Sequence, residues 1–154
     1  MKDRYTLRVK EADFKLTAKD KPRILLNCEI IEPQVKVFDG VTYDLTGINI
    51  PYYLMMDTPE GLGAILALHK TLGLPDELDT DNPNVEIYSG LCFESILDSN
   101  ERKAIKPDPE NPKKYISILD AEGKEISQGW QVMGNSRDVL HRRADLEANE
   151  QPKF

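Results

Sequence analysis

Polar and apolar residues alternate with period two near the start of the chain. Tyr5-Thr-Leu-Arg-Val-Lys puts Tyr5, Leu7 and Val9 on one side and Thr6, Arg8 and Lys10 on the other, as a half-buried strand requires. A short run through Phe14 and Leu16 follows, and Thr17-Ala-Lys-Asp-Lys-Pro22 reads as a hairpin turn. Arg23-Ile-Leu-Leu-Asn-Cys-Glu-Ile-Ile31 is a second, largely buried strand, stopped by Pro33. Gln34 to Gly40 connects it onward, with Asp39-Gly40 as the turn signal. A third strand is expected from Val41 to about Met56, weakened by Gly47 and Pro51, which suit a bulge or an edge. The period then changes to that of a helix. Thr58 can cap it, Pro59 suits its first position, and Gly73 with Pro75 ends it, while Leu62, Ile65, Leu66 and Leu72 share one face. After the acidic loop Asp76 to Asn84, Val85 to Leu97 reads as a long fourth strand bent at Gly90. Ser99 to Lys114, with Pro107, Pro109 and Pro112, reads as a loop, and Tyr115-Ile-Ser-Ile-Leu119 as strand five. Beyond it only Trp130-Gln-Val-Met133 has an ordered pattern, and the polar stretch from Arg137 fits a helix or a tail.

Three strands, one helix and two strands is the element order of the oligonucleotide-binding (OB) barrel, a mainly β fold of five strands with its helix between strands three and four. The helix face is expected to plug one end of that barrel. The expected division is an OB domain over residues 1–133 and a polar C-terminal segment, a helix or a flexible tail, over 134–154. A length of 154 residues suits one domain with a real core. The composition, 40% hydrophobic and 31% charged, excludes a disordered chain. No apolar run approaches the roughly 18 residues of a membrane span, and Met1-Lys-Asp-Arg-Tyr-Thr has no signal-peptide core, so a cytoplasmic protein is expected. Cys28 and Cys92 lie in strand-like apolar stretches and read as buried free thiols, with a disulfide between them as the less supported alternative.

Charge changes the picture through its distribution. The net charge of −7 argues against nucleic acid, but residues 1–23 hold eight Lys and Arg against four Asp and Glu. Residues 24–98 hold two against thirteen, residues 99–114 five against three, and residues 115–154 five against seven. Local potential near a basic groove governs phosphate binding more than the total does. Lys15, Lys19, Lys21 and Arg23 surround the first hairpin turn, with Arg8 and Lys10 on the strand leading to it. Arg102, Lys103, Lys106, Lys113 and Lys114 line the connection between strands four and five. In an OB barrel those two loops flank one ligand groove, so together the two sets can follow a phosphate backbone. Phe14, Phe38, Tyr43, Tyr53 and Tyr115 are the candidate rings for stacking bases. Singly, each of these lysines reads as a solvated surface residue and each tyrosine as core; their joint placement favours binding.

Other chemistries find less support. Asp76-Glu-Leu-Asp-Thr-Asp81 lacks the glycine and terminal glutamate of a calcium loop and reads as solvated. His69 and His141 have no second ligand at metal spacing, and no phosphate loop or nucleophile elbow occurs. Asp44, Asp57 and Asp98 would have to assemble from three separate segments to make a metal-dependent nuclease. The expectation is binding without chemistry, with no cofactor and no metal. The alternative function is a protein-interaction or assembly module on the same barrel, using the acidic loop and the terminal segment. Phe154, in the closing Pro-Lys-Phe, is the candidate for docking into a partner, against the default of a frayed end. The sequence does not set the oligomeric state, and a homodimer is compatible with it.

Tyr5-Thr-Leu-Arg-Val-Lys-Glu-Ala, the lysine-rich turn ending at Lys21-Pro22, and Ile24-Leu-Leu-Asn-Cys-Glu-Ile30 resemble the opening hairpin of phage-encoded OB-fold single-stranded DNA-binding proteins. Leu66-Ala-Leu-His-Lys-Thr-Leu-Gly-Leu-Pro75, the acidic loop, and Gly90-Leu91 are similar to their helix and fourth strand. The likeness covers roughly residues 4–119 as a loose pattern. It implies a protein that coats single-stranded DNA during phage replication or recombination, in the cytoplasm of a bacterial host. In that group an acidic, aromatic-bearing tail recruits replication or recombination proteins or shields the groove. The end of this chain departs from that pattern: over Glu147 to Phe154 only Glu147 and Glu150 are acidic, and Lys153 sits beside Phe154.

Overall fold

The first hairpin sets the frame. In a computed structural model that describes residues 2–147, β1 (Lys2–Leu16) and β2 (Pro22–Glu32) pair antiparallel along their length. A short hairpin follows, β3 (Val35–Phe38) and β4 (Val41–Asp44), then β5 (Asn49–Met55) and helix α1 (Pro59–Leu72). A 3₁₀ turn over Val85–Tyr88 leads into β6 (Cys92–Lys103). The chain continues through β7 (Ile105–Asp108), β8 (Asn111–Ser117), β9 (Ser127–Met133), β10 (Val139–Arg142) and the short helix α2 (Ala144–Glu147). No helix among the described residues is long and apolar enough to cross a membrane.

The architecture is mainly β: a nearly closed antiparallel barrel of five strands, with few helices. Hydrogen-bonded neighbours run β9, β6, β1, β2, β5, and β10 pairs with β6 on the same edge as β9. β1 serves two neighbours because it bends. Its first half pairs with β6 from Lys2↔Asp98 to Arg8↔Cys92, and its second half continues along β2. Lys10 is the extra residue where Val9 faces Cys28 and Glu11 faces Asn27, and such a bulge kinks and twists a strand. The chain passes close to Tyr52 of β5 as it leaves β9. A Cβ at Gly134 would lie 2.7 Å from the Tyr52 ring, so only glycine permits that approach.

The inward set is the one that period two selects: Tyr5, Leu7 and Val9 on β1, Ile24, Leu26, Cys28 and Ile30 on β2, Ile50, Tyr52 and Leu54 on β5. Phe93 and Leu97 from β6 and Trp130 and Val132 from β9 complete it. Cys28 and Cys92 are both buried and form no disulfide. Helix α1 has the expected punctuation: Thr58 Oγ1 accepts from the Gly61 amide, Pro59 opens the helix, and Gly73 closes it at φ 70°. Its buried face differs from the expected one. Ile65, Leu68, His69 and Leu72 are buried, whereas Leu62 and Leu66 are half-exposed. His69 is accommodated because its Nδ1 lies 2.7 Å from the Pro75 carbonyl and its Nε2 2.5 Å from the Tyr88 hydroxyl.

Four readings are corrected. The single third strand is two strands, β4 and β5, separated by a turn at Gly47, where φ is 85°. Val85–Tyr88 is a 3₁₀ turn capped by the Asn84 side chain, so the fourth strand starts only after Gly90 (φ 81°) and runs on to Lys103. The proline-bearing connection is a β-ribbon, β7–β8, not a loop. Tyr115 belongs to that ribbon, and the fifth barrel strand is β9, around Trp130. The segment after residue 133 contributes β10, whose Val139 faces Ser95. It is tied down by Arg142, which forks onto the Glu147 carboxylate (Nη2 to Oε1 2.6 Å) and donates to the Leu72 carbonyl (3.1 Å).

Candidate nucleic-acid interface

The turn between β1 and β2 is built by its own side chains. Thr17 Oγ1 accepts from the amides of Lys19 (3.2 Å) and Lys21 (3.1 Å), while Asp20 takes φ 59°. Lys19 and Lys21 therefore project from a closed turn, and Lys21 lies 3.6 Å from Asp57. Register extends the basic edge onto the sheet, since Lys15 faces Arg23 and Arg23 faces Met55 across the three strands. One rung further in, Asp13 faces Leu25 and Leu25 faces Tyr53. Residues of odd number on β2 and β5 alternate with the buried set and point outward. The outer face of β1, β2 and β5 thus carries Leu25, Pro51, Tyr53 and Met55, with basic residues above them.

Tyr53 is the centre of this face. Its side chain is 51% exposed, and the Arg23 guanidinium lies over its ring, 4.9 Å from the centroid. Such a contact contributes roughly 0.5–1 kcal/mol at exposed sites and fixes the plane of both groups. Arg8 and Lys10 lie on the same strand system, Arg8 3.7 Å from Glu29 and Lys10 at the bulge. Glu11 and Asp13 also project here, so the face is mixed in charge and most basic at the Lys15–Arg23 end.

The second basic set follows β6. β6 runs past the Lys2 end of β1 before it reaches Lys103, whereas the Thr17–Lys21 turn lies beyond Leu16 at the other end. The full length of β1, roughly 45 Å at strand rise, lies between them along the chain. The two sets thus attach to opposite ends of a bent β1. Arg102, Lys106, Lys113 and Lys114 are exposed. Lys103 is bound to Glu101, which also accepts from the Tyr43 hydroxyl. The Lys103 ammonium first, then the Tyr43 and Ser127 hydroxyls, hold the Glu101 carboxyl down at about 2. The same contact raises the Lys103 ammonium, and Glu101 raises the Tyr43 phenol.

This polar knot corrects one expected ring. Tyr43 is 7% exposed, its ring packed on Trp130 at 5.2 Å between centroids, so it offers no surface to a base. Phe38 also packs on Trp130, at 5.2 Å between centroids, and is 36% exposed. Phe14 is half-buried against the core. Tyr53 and Tyr115 are the open rings, one with each basic set. Phe154 lies outside the described residues. Leu25, Pro51 and Met55 were not singled out by sequence, although their parity on β2 and β5 already marked them as outward. Among the described residues no three His, Cys, Asp or Glu side chains group to hold a metal ion.

No protein-family model, curated protein or solved structure matches this chain.

Proposed function

We propose that the chain binds single-stranded DNA with little sequence preference on the outer face of β1, β2 and β5. The observation that carries this reading is Tyr53, an open ring on a sheet face, held under Arg23, which Lys15 faces at the end of the sheet that leads into the Lys19–Lys21 turn. Bases would stack on Tyr53 and slide over Leu25, Pro51 and Met55, contacts that every base can make. The backbone would lie along the basic end and displace its counterions. No step of this requires a covalent reaction.

The order of the barrel strands supports an OB-type reading. Counted along the barrel alone, β1, β2 and β5 precede α1, and β6 and β9 follow it. Together with the likeness of the first hairpin to phage-type single-stranded DNA-binding proteins, this points to a role in phage DNA replication or recombination.

The test is fluorescence anisotropy of a labelled oligo-dT at several salt concentrations. Affinity is expected to fall with salt at about −0.7 log units per log unit for each phosphate contacted. Charge reversal at Lys15, Lys19 and Arg23 should flatten that slope. Tyr53→Ala should cost about 1–3 kcal/mol of binding with the slope unchanged. Absence of binding at low salt, or binding indifferent to all four substitutions, would overturn the proposal.

A further inference from the structure

The β7–β8 ribbon has neither face covered by the other described residues. Every residue of β7 and β8 is exposed except Asp108 and Ser117, which are half-exposed. The pairs Ile105↔Ser117 and Pro107↔Tyr115 put Ile105, Pro107 and Tyr115 side by side on one face. Ile105 is 56% and Tyr115 65% exposed, an apolar strip that no other described residue covers. A bare strip of this kind on a protruding ribbon marks a contact surface. Its surroundings are basic: Arg102, Lys106, Lys113 and Lys114 against Asp108 and Glu110.

The complementary surface lies before the start of β6, whereas the ribbon follows its end. Residues 76–86 carry Asp76, Glu77, Asp79, Asp81 and Glu86 and no Lys or Arg. They border a groove of about 520 Å³, lined by the apolar Pro75, Leu78 and Ile87 together with Glu77 and Asp79. Leu78 and Ile87 rest on the core, so the apolar part of the groove is fixed. The volume accepts a tyrosine ring and an isoleucine side chain.

We infer that the β7–β8 ribbon of one copy docks into the groove beside residues 76–86 of a second copy, head to tail. Three observations select this occupant. The ribbon cannot reach its own groove, because the groove precedes β6 and the ribbon follows it, roughly 40 Å of strand apart. Two ribbons pairing symmetrically through this strip would put the Lys113 of both copies into one interface, a like-charge contact. The groove instead offers carboxylates around an apolar floor, which matches lysines around an apolar strip. A heterologous contact of this kind repeats without closing and builds an open row of copies. The inference stands apart from the DNA reading, since its surfaces lie off the β1–β2–β5 face and its test contains no nucleic acid.

Sedimentation velocity of the full chain tests it across two decades of protein concentration at low and high salt. Mass should rise with concentration at low salt without stopping at the dimer, and fall back as salt is added. Lys113→Glu with Lys114→Glu, and separately Asp79→Lys with Asp81→Lys, should each weaken self-association about tenfold or more. An equimolar mixture of the two double variants should restore it, because each then presents the charge the other needs. All four positions are exposed, and unchanged far-ultraviolet circular dichroism and melting verify the fold of each variant. A strict monomer at low salt, a salt-insensitive dimer, or a mixture that stays dissociated would overturn the inference.

Discussion

Two glycines two positions apart in α1 make opposite predictions. A Cβ at Gly61 would stand 2.3 Å from the Met55 carbonyl oxygen and 3.1 Å from Thr58 Oγ1, whereas one at Gly63 would meet nothing within 4 Å. Alanine in a helix is favoured over glycine by about 0.8–1 kcal/mol, so propensity alone predicts that both substitutions stabilise. At Gly63 nothing opposes it, and Gly63→Ala should add about 0.5–1 kcal/mol. At Gly61 the obstacle is the backbone of β5, which cannot rotate aside. Ordinary contact begins at 3.4 Å, so the helix must retreat by about 1 Å. That retreat lifts Ile65 and Leu68 from the core and stretches the Thr58 cap. Overpacking of this kind costs roughly 1–3 kcal/mol, which offsets or exceeds the gain, and Gly61→Ala should destabilise by up to about 2 kcal/mol. Urea unfolding reads both, followed by circular dichroism and by Trp130, which is buried against Phe38 and Tyr43. Greater stability for Gly61→Ala, or a loss for Gly63→Ala, would refute the close approach of α1 to β5.

The His69 bridge should behave as a buried hydrogen-bond pair: Tyr88→Phe leaves the His69 ring nitrogen without its partner and should cost about 1–3 kcal/mol. A change within error would mean the hydroxyl is not used. The depressed Glu101 carboxyl stabilises the fold above its unfolded value of 4.5, and that contribution is lost as pH falls from 4.5 through about 2. Urea midpoints measured down that window should therefore fall more steeply for the native protein than for Glu101→Gln, and parallel curves would contradict this. Burial pushes the Cys28 thiol up to about 12 against the small opposing effect of Lys10. Cys28 should accordingly resist an alkylating reagent at pH 8 until urea unfolds the chain, and fast labelling of the native protein would count against its burial.

The parts of this fold that could be read in the sequence are those whose local signals agree. The first hairpin carries a period-two strand on each side of a polar turn, and α1 carries a cap, a proline and a terminal glycine. The misread parts have conflicting signals. Val85 and Ile87 alternate like a strand, yet Asn84 caps the segment and Gly90 needs a positive φ. Tyr115 to Leu119 is more strand-like than Ser127 to Met133. The true barrel strand offers only Trp130 and Val132 inward, beside Gly129, and Tyr115 was placed on the wrong element as a result. The prolines of residues 107–112 mark a loop because nothing local reveals a ribbon left exposed by the other described residues. For the interface, sequence located Arg23 and Tyr53 separately. Their contact depends on the β2–β5 register, which pairs residues about thirty positions apart and is set by the whole barrel.

The account rests on the outer face of β1, β2 and β5 being where nucleic acid lies. Backbone amide chemical shifts of the labelled protein, recorded while oligo-dT is added at low salt, test that most directly. The prediction is a contiguous set of changes at Lys15, the Thr17–Lys21 turn, Arg23, Leu25, Tyr53 and Met55. Spectra that do not change, or changes confined to the acidic side around residues 76–86, would contradict it.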